Sequence, residues 1–294
     1  MLTAAALFGT TGTVLVNAPA GAEPWSVGCL RLLIGGSTLA VVARAMGGDL
    51  RAPWRRGALR ATALAVVGVV VFQAGYFLAV DRTGVAVGTV VTIGSGPAIA
   101  GSAAALRSRR RPGSGWLVGT TVGVAGVALL GLTGRSVDTD LTGVALAVAA
   151  GAGWAVFSSA DKTLIDRGLH STAVMAATFL GGGVAMTPML LAHSPGWAGS
   201  AGGAAVALYL GVATVGAAYH LYGWALRHLA APVVITLTLL EPITAAVLGA
   251  LVVHERVGAT GWVGVALVVA GLLVTGRSTR TADTVTAATA TVPT

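Results

Sequence analysis

Residues 59–80 read LRATALAVVGVVVFQAGYFLAV and contain only two strongly polar side chains, Arg60 and Gln73. Two further runs, 113–134 and 257–276, contain no charged residue. An α-helix needs about 20 mostly apolar residues to cross the hydrocarbon core of a bilayer. Each run is therefore long enough for one span. None of them alternates polar and apolar residues as the strands of an outer-membrane barrel do.

The chain as a whole is also strongly apolar. Of its 294 residues, 55% are hydrophobic and 10% are charged, whereas soluble domains have about 25% charged residues. Small residues such as its 43 glycines let helix backbones approach closely in lipid. We therefore predict an all-α integral membrane protein with ten transmembrane helices, at 2–19, 25–46, 59–79, 84–106, 113–132, 142–162, 172–193, 202–224, 229–252 and 257–276.

The net charge of +8 does not indicate nucleic acid, because the basic residues lie in short loops between spans, where they set orientation. With the N-terminus in the cytoplasm, three arginines fall outside (Arg82, Arg135 and Arg256) and fourteen basic residues inside. The inner set is Arg44, Arg51, Arg55, Arg56, Arg60, Arg107, Arg109, Arg110, Arg111, Lys162, Arg167, Arg227, Arg277 and Arg280. This distribution predicts a multi-pass protein of the cytoplasmic membrane with both termini inside. Cys29 is the only cysteine, so we predict no intramolecular disulfide and no cysteine metal site. We also predict no other metal and no cofactor.

The chain also repeats itself at an offset of 145 residues, which grows to 147 near the start of each half. The matching pairs are Arg82 with Arg227, Pro97 with Pro242, Gly119 with Gly264, and Gly35 and Gly36 with Gly182 and Gly183. Five spans in each half place the halves in the membrane in opposite orientations, and such inverted repeats serve alternating access in transporters. The predicted units are a first five-helix repeat at 1–135, a second at 136–278, and a disordered cytoplasmic tail at 279–294, which is rich in Thr and Ala.

Several short motifs resemble the EamA-type branch of the drug/metabolite transporters over about 2–276. They are Phe8-Gly9-Thr10-Thr11-Gly12, Arg31 followed by Gly35-Gly36, Glu241-Pro242, and Glu255. The resemblance implies ten helices around a central cavity and the export of amino acids, other metabolites or drugs. The chain departs from the family pattern after the fourth span, where Arg107-Ser108-Arg109-Arg110-Arg111 replaces an expected Glu, and at Phe8, where Trp is frequent.

Two charged residues, Arg31 and Glu241, lie well away from the ends of predicted spans. An unpaired arginine in hydrocarbon is costly, so Arg31 should face a cavity or a partner. It is a candidate contact for a substrate carboxylate, and snorkelling to the outer interface is the alternative. Glu241 is the only acid that the sequence places in the middle of a span. Burial disfavours a charged carboxylate, so Glu241 is a candidate for proton coupling or a brace beside Pro242.

The remaining candidates are polar, aromatic or helix-breaking. We expect Gln73, Tyr76, Trp154 and Tyr219 in the cavity, and Tyr222 and Trp224 at the cytoplasmic interface. His220 could relay protons or be a satisfied structural histidine. Pro97 and Pro242 each remove a helix hydrogen bond. A charged cluster, interpreted as an interface feature, ends the sixth span with Asp161, Lys162, Asp166 and Arg167.

Three classes of function are compatible with a multi-pass membrane protein. A secondary transporter explains the repeat, and the chain has no phosphate-binding loop for ATP hydrolysis. An intramembrane enzyme acting on a lipid would need clustered acids or a nucleophile with a base, and a non-transporting scaffold needs no inverted repeat. We predict a transporter rather than an enzyme, with a small-molecule substrate, the lipid bilayer and no nucleic acid as partners. Proton coupling and the choice between monomer and homodimer stay open.

Overall fold

A computed structural model describes residues 1–109, 112–132, 140–193, 195–252 and 258–290. Over these ranges the chain is helical, and none of the described residues forms a β-strand. The main helices, numbered here in chain order, are α1 (Leu2–Leu15), α2 (Pro24–Ala45), α3 (Arg56–Gly84), α4 (Val87–Ser108), α5 (Ser114–Leu132), α6 (Leu141–Asp166), α7 (Ser171–Ala185), α8 (Ala201–His228), α9 (Ala231–Leu251) and α10 (Ala259–Ala290).

Six of these helices are long and apolar enough to cross a membrane, judged by length and composition within the described ranges: α2, α3, α4, α6, α8 and α9. The other four contain shorter apolar segments of 10–17 residues. A further short helix, Thr187–Ala192, follows α7. The predicted all-helical membrane class is thus confirmed. Each of the ten predicted runs overlaps one main helix, but the number of crossings stays a prediction.

Local chemistry explains where several helices begin or bend. Asp140 caps α6, because its Oδ1 accepts a hydrogen bond of 2.8 Å from the Thr142 N–H. That bond lowers the pKa of Asp140, and Arg82 lowers it further. Ser200 caps α8 in the same way through the Gly203 N–H, at 3.1 Å. Between α3 and α4 the chain turns at Gly84, whose φ of 79° favours glycine.

Helix α9 is interrupted just before Glu241. Pro242 has no N–H, and the carbonyl of Thr238 accepts a 2.8 Å bond from the Glu241 N–H. The helix consequently consists of two pieces, Ala231–Leu237 and Leu240–Leu251, with Glu241 in the first turn of the second piece. The repeat-related Pro97 differs, because α4 keeps helical dihedrals through it.

The crossing of α2 and α7 depends on two glycines. A Cβ on Gly36 would lie 2.6 Å from the Cα of Leu180, and one on Gly183 would lie 2.9 Å from the backbone nitrogen of Leu33. Neither approach leaves room for a side chain, so both backbones touch directly. The two contacts are reciprocal: at the offset of 147, Gly36 corresponds to Gly183 and Leu33 to Leu180.

The crossing of α5 and α10 is reciprocal as well. A Cβ on Gly119 would lie 2.7 Å from the carbonyl oxygen of Gly271, and one on Gly126 would lie 2.6 Å from that of Gly264. At the offset of 145, Gly119 corresponds to Gly264 and Gly126 to Gly271. Exchanging the two halves therefore maps one contact onto the other.

The last helix, α10, extends beyond the last predicted span. Helix α10 runs to Ala290 and so covers most of the segment 279–294, which the sequence assigns to a disordered tail. Alanine is the strongest helix former, and the segment is rich in it. The boundary between repeat and tail stays a prediction. Residues 291–294 lie outside the described ranges, and so does Glu255.

Candidate functional site

Arg31 of α2 and Gln73 of α3 meet inside the bundle. The Arg31 Nη2 donates a hydrogen bond of 2.9 Å to the Oε1 of Gln73, which is 1% exposed. Both side chains keep a buried donor without an acceptor in the described chain, the Nε of Arg31 and the Nε2 of Gln73. Buried donors are almost always satisfied in folded proteins. These two are therefore available to a ligand with acceptor oxygens.

Glu241 and two tyrosines share this space with Arg31. Arg31 acts electrostatically on Glu241, and both charged groups act on Tyr76 and on Tyr219. Within the described ranges, however, Arg31 and Glu241 form no ion pair at 4.0 Å or less. The hydroxyl of Tyr76 is hydrogen-bonded to the Thr89 Oγ1 at 2.9 Å. A cation and an acid, near each other but not paired, thus define a polar site between α2, α3, α8 and α9.

Aromatic rings form one wall of the site around Tyr219, which is almost fully buried. Its ring centroid lies 3.9 Å from Phe179, 4.9 Å from Phe8 and 6.3 Å from Phe157. These rings come from α7, α1 and α6. They exclude water and leave the Tyr219 hydroxyl as a polar group on an apolar surface.

Trp154 of α6 joins the site through Phe72. The ring centroids of Trp154 and Phe72 are 6.1 Å apart, and Phe72 in turn stacks on Tyr76 at 6.4 Å. Trp154 also lies against α4, where a Cβ on Gly96 would be 2.8 Å from its Cε3. Gly96 is the repeat counterpart of Glu241 at the offset of 145. The first half therefore has the indole of Trp154 against this position, whereas the second half has a carboxyl group there.

His220 lies apart from this group. Its Nδ1 is hydrogen-bonded to the Thr172 Oγ1 at 3.0 Å. It also acts on His170, in the loop before α7, where burial lowers the pKa of His170 and Arg227 and His220 lower it further. His220 is therefore associated with that loop and is not among the groups around Arg31. A relay role for it stays a prediction.

Two sequence interpretations are wrong at the adjoining end of α6. Asp161, interpreted as part of a charged cluster at the interface, is 0% exposed and accepts a 2.7 Å hydrogen bond from the Thr178 Oγ1. Tyr222, expected at the interface, is also 0% exposed, and its hydroxyl pairs with the Ser158 Oγ at 2.7 Å. Only Trp224 matches that expectation, with 53% exposure. A second buried polar cluster thus adjoins the first.

A bundle of apolar helices around a buried cation and acid defines a multi-pass membrane transporter. The chain belongs to the EamA-like transporter family, whose family model matches residues 1–132 and 141–277. The predicted family is confirmed.

Known proteins agree with this assignment. The chain is 36% identical over 292 residues to the uncharacterized transporter YwfM of Bacillus subtilis (strain 168), covering 98% of this chain and 96% of that one. A crystal structure with 20% sequence identity superposes with a TM-score of 0.80, covering 92% of this chain and 93% of the other. That likeness shows a shared fold. The family and the Bacillus relative point to a transporter rather than an enzyme.

Proposed function

We propose that the protein is a secondary transporter that exports a small metabolite, either an amino acid or an amphipathic drug-like solute, across the cytoplasmic membrane. The observation that carries this proposal is the polar site between α2, α3, α8 and α9. There Arg31 and Gln73 each hold a buried donor with no acceptor among the described residues. A fixed structural pair would satisfy those donors, whereas a binding site keeps them for its ligand.

Ten spans in two inverted five-helix repeats complete the proposed architecture. The same family model matches each half of the chain. The α2–α7 and α5–α10 crossings are both reciprocal under exchange of the halves. The packing of α1 on the second piece of α9, where Gly9 lies against Thr244, also has its counterpart in the packing of α6 on α4, where Gly151 lies against Ser95. A two-fold relation between the halves explains all of these pairings, and in transporters it supports alternating access.

The chemistry of the site favours a ligand with two opposite charges. An acceptor carboxylate can bind Arg31, which lies well inside the predicted span 25–46, whereas Arg44, Arg60 and Lys162 lie near the ends of their spans. An ammonium group can bind Glu241, which is near Arg31 but not paired with it. The rings around Tyr219 and Trp154 supply apolar surface for a side chain. A zwitterionic amino acid has all three features.

Proton coupling at Glu241 is part of the proposal. Glu241 sits where α9 is interrupted, and desolvation at that depth disfavours its charged form unless a cation pairs with it. When the ligand leaves, the carboxyl group can take up a proton. Exchange of a proton for the ligand at one site would couple export to the pH gradient.

The proposed orientation has both termini in the cytoplasm. A groove of about 780 Å³ between α3, α4 and α6 is lined by Arg56, Arg60, Arg107 and Arg167. Basic residues of three helices thus gather at one end of the bundle, as expected for a cytoplasmic face. We expect green fluorescent protein fused after the last residue to fluoresce and alkaline phosphatase fused there to be inactive. Fusions within 133–139 are the control and should behave in the opposite way, and an active phosphatase at the C-terminus would contradict ten spans.

The substrate class can be tested in cells. A strain that lacks its own exporters would be grown with toxic amino-acid analogues and with lipophilic cationic drugs, with and without the gene. The proposal expects resistance, and lower intracellular accumulation, for at least one amino-acid analogue. Resistance to the cationic drugs alone would exclude the zwitterion and keep the amphipathic solute. Equal sensitivity to every compound at verified expression would argue against export.

A further inference from the structure

Asp161 is a buried acid whose carboxylate is only half satisfied. It lies on α6, five residues before the helix ends at Asp166, and is 0% exposed. Its Oδ1 accepts a 2.7 Å hydrogen bond from the Thr178 Oγ1 of α7, whereas its Oδ2 is buried with no hydrogen-bond partner among the described residues. An acid held in this way within a membrane bundle is a functional site by default, because its burial is costly.

No cation compensates Asp161. In the part of the chain that the structure describes, no Lys, Arg or His nitrogen lies within 4.0 Å of its carboxylate. The next basic residue along the helix, Lys162, is engaged with Asp166 at 2.6 Å on the surface. Leaving a carboxylate charged, buried and unpaired is strongly unfavourable. A protonated carboxyl group removes the charge, and its O–H can donate a hydrogen bond from the oxygen that has no partner.

The groups facing Asp161 connect it with the ligand site. Thr178 faces it from α7, and Asp161 in turn acts electrostatically on Tyr222 and Tyr219 of α8. From α3, α4 and α9 no charged group acts on it among the described residues. The ring centroids of the two tyrosines are 5.4 Å apart, and Tyr219 also interacts with Glu241. Tyr219, with Tyr222 beside it, thus connects the surroundings of Asp161 with those of Glu241.

We propose that Asp161 is a proton-binding site of this protein, placed between the ligand site and the end of the bundle where α6 meets α7. Proton binding at Asp161 does not depend on the proposed transport function. Only the path of the proton between Glu241 and Asp161 rests on that function. A proton on the Glu241 carboxyl group moves to the Asp161 carboxylate, leaving Glu241 charged and Asp161 neutral, with no change in electron count. The Asp161 proton is released when α6 and α7 separate at Thr178 and water reaches the Oδ2.

The internal repeat relates the contact between Asp161 and Thr178 to the contact between Arg31 and Gln73. Thr178 occupies the position of Arg31 in the second half, at the offset of 147, and in an inverted repeat the two lie on opposite sides of the midplane. Arg31 contacts a neighbouring helix through Gln73, and Thr178 contacts one through Asp161. On one side of the bundle Arg31 thus keeps a buried Nε donor without an acceptor, and on the other side Asp161 keeps a buried Oδ2 without a donor, among the described residues. An anionic ligand group and a proton would then use opposite halves of the same pathway.

The test uses infrared spectroscopy of the purified full-length protein in detergent, with protons and deuterons as the only probes. The wild-type spectrum minus that of Asp161→Asn should contain a protonated-carboxyl band at neutral pH that shifts in deuterated buffer. Thr178→Val should move this band to higher wavenumber, because the carboxyl group loses a hydrogen bond. Asp166→Asn, an exposed acid of the same helix, is the control and should leave the band unchanged. A difference spectrum with carboxylate bands only would overturn the proposal.

A second arm tests the coupling role in vesicles loaded with a pH-sensitive dye. Adding an equimolar mixture of the twenty amino acids to one side should drive proton movement through the wild type and through Asp166→Asn. Asp161→Asn should lose this proton movement and keep amino-acid exchange, and proton movement equal to wild type would overturn the coupling role. If the wild type moves neither protons nor amino acids, the proposed function fails, and the infrared spectra still decide whether Asp161 binds a proton.

Discussion

Replacing Gly36 with leucine is expected to remove most of the folded protein from the membrane. The added side chain would enter the backbone of α7 at Leu180, where even a Cβ would lie 2.6 Å from the Cα. Overpacking a well-packed site costs about 1–3 kcal/mol, and more when backbone must move. Since native proteins are stable by only about 5–15 kcal/mol, this is a large fraction of the total. The measurement is the monodisperse yield of a fluorescent fusion on size exclusion.

Two companion variants sharpen this result. Gly183→Leu should be as damaging, because Gly183 makes the reciprocal contact with Leu33. Gly12→Leu is the matched control: a Cβ at Gly12 meets nothing within 4 Å, so its yield should equal that of the wild type. A normal yield of Gly36→Leu would mean that α2 and α7 do not cross as described.

Replacing Glu241 with glutamine is expected to abolish accumulation of solute driven by a pH gradient. The amide keeps the shape of the side chain and removes its titration, so ligand binding and exchange without net flux should survive. Gradient-driven uptake in inside-out vesicles should fall to the level of vesicles without the protein. Glu23→Gln is the control, because Glu23 is an exposed acid that pairs with His193. Undiminished gradient-driven flux in Glu241→Gln at matched protein levels would exclude Glu241 as the coupling residue.

Much of the helical architecture could be predicted from composition and run length, because lipid admits only segments that satisfy their own backbone hydrogen bonds. The interruptions were harder to predict. The π-helical turn Leu210–Ala217 lies where α8 crosses α2, beside Gly35, and no residue type marks it. Pro97 and Pro242 look equivalent in the sequence, yet only α9 is interrupted. The turn Thr238–Leu239 precedes Pro242, whereas the residues before Pro97 stay helical, so the proline alone does not predict the interruption.

The candidate site was predictable where a polar residue stood alone in an apolar run. Arg31, Gln73 and Glu241 are of this kind, and the structure brings them into one region. Asp161 was missed because Lys162 and Asp166 follow it, which made a buried acid look like part of a charged cluster at the interface. Its burial follows from the continuation of α6 to Asp166, and Thr178 then binds it from another helix. A contact between residues of two different helices produces no periodic pattern in the sequence, so it could not be predicted.

The proposal that Arg31 holds the carboxylate of a transported zwitterion can be measured by counterflow of labelled amino acids into proteoliposomes. The account predicts saturable, protein-dependent uptake of at least one amino acid. It also predicts that Arg31→Ala raises the half-saturating concentration roughly tenfold or more, because a hydrogen bond to a charged group contributes about 1.5–3 kcal/mol. Arg44→Ala, in the last turn of the same helix, should match the wild type. Uptake that never exceeds that of protein-free vesicles, or that is equally saturable without Arg31, would contradict the account.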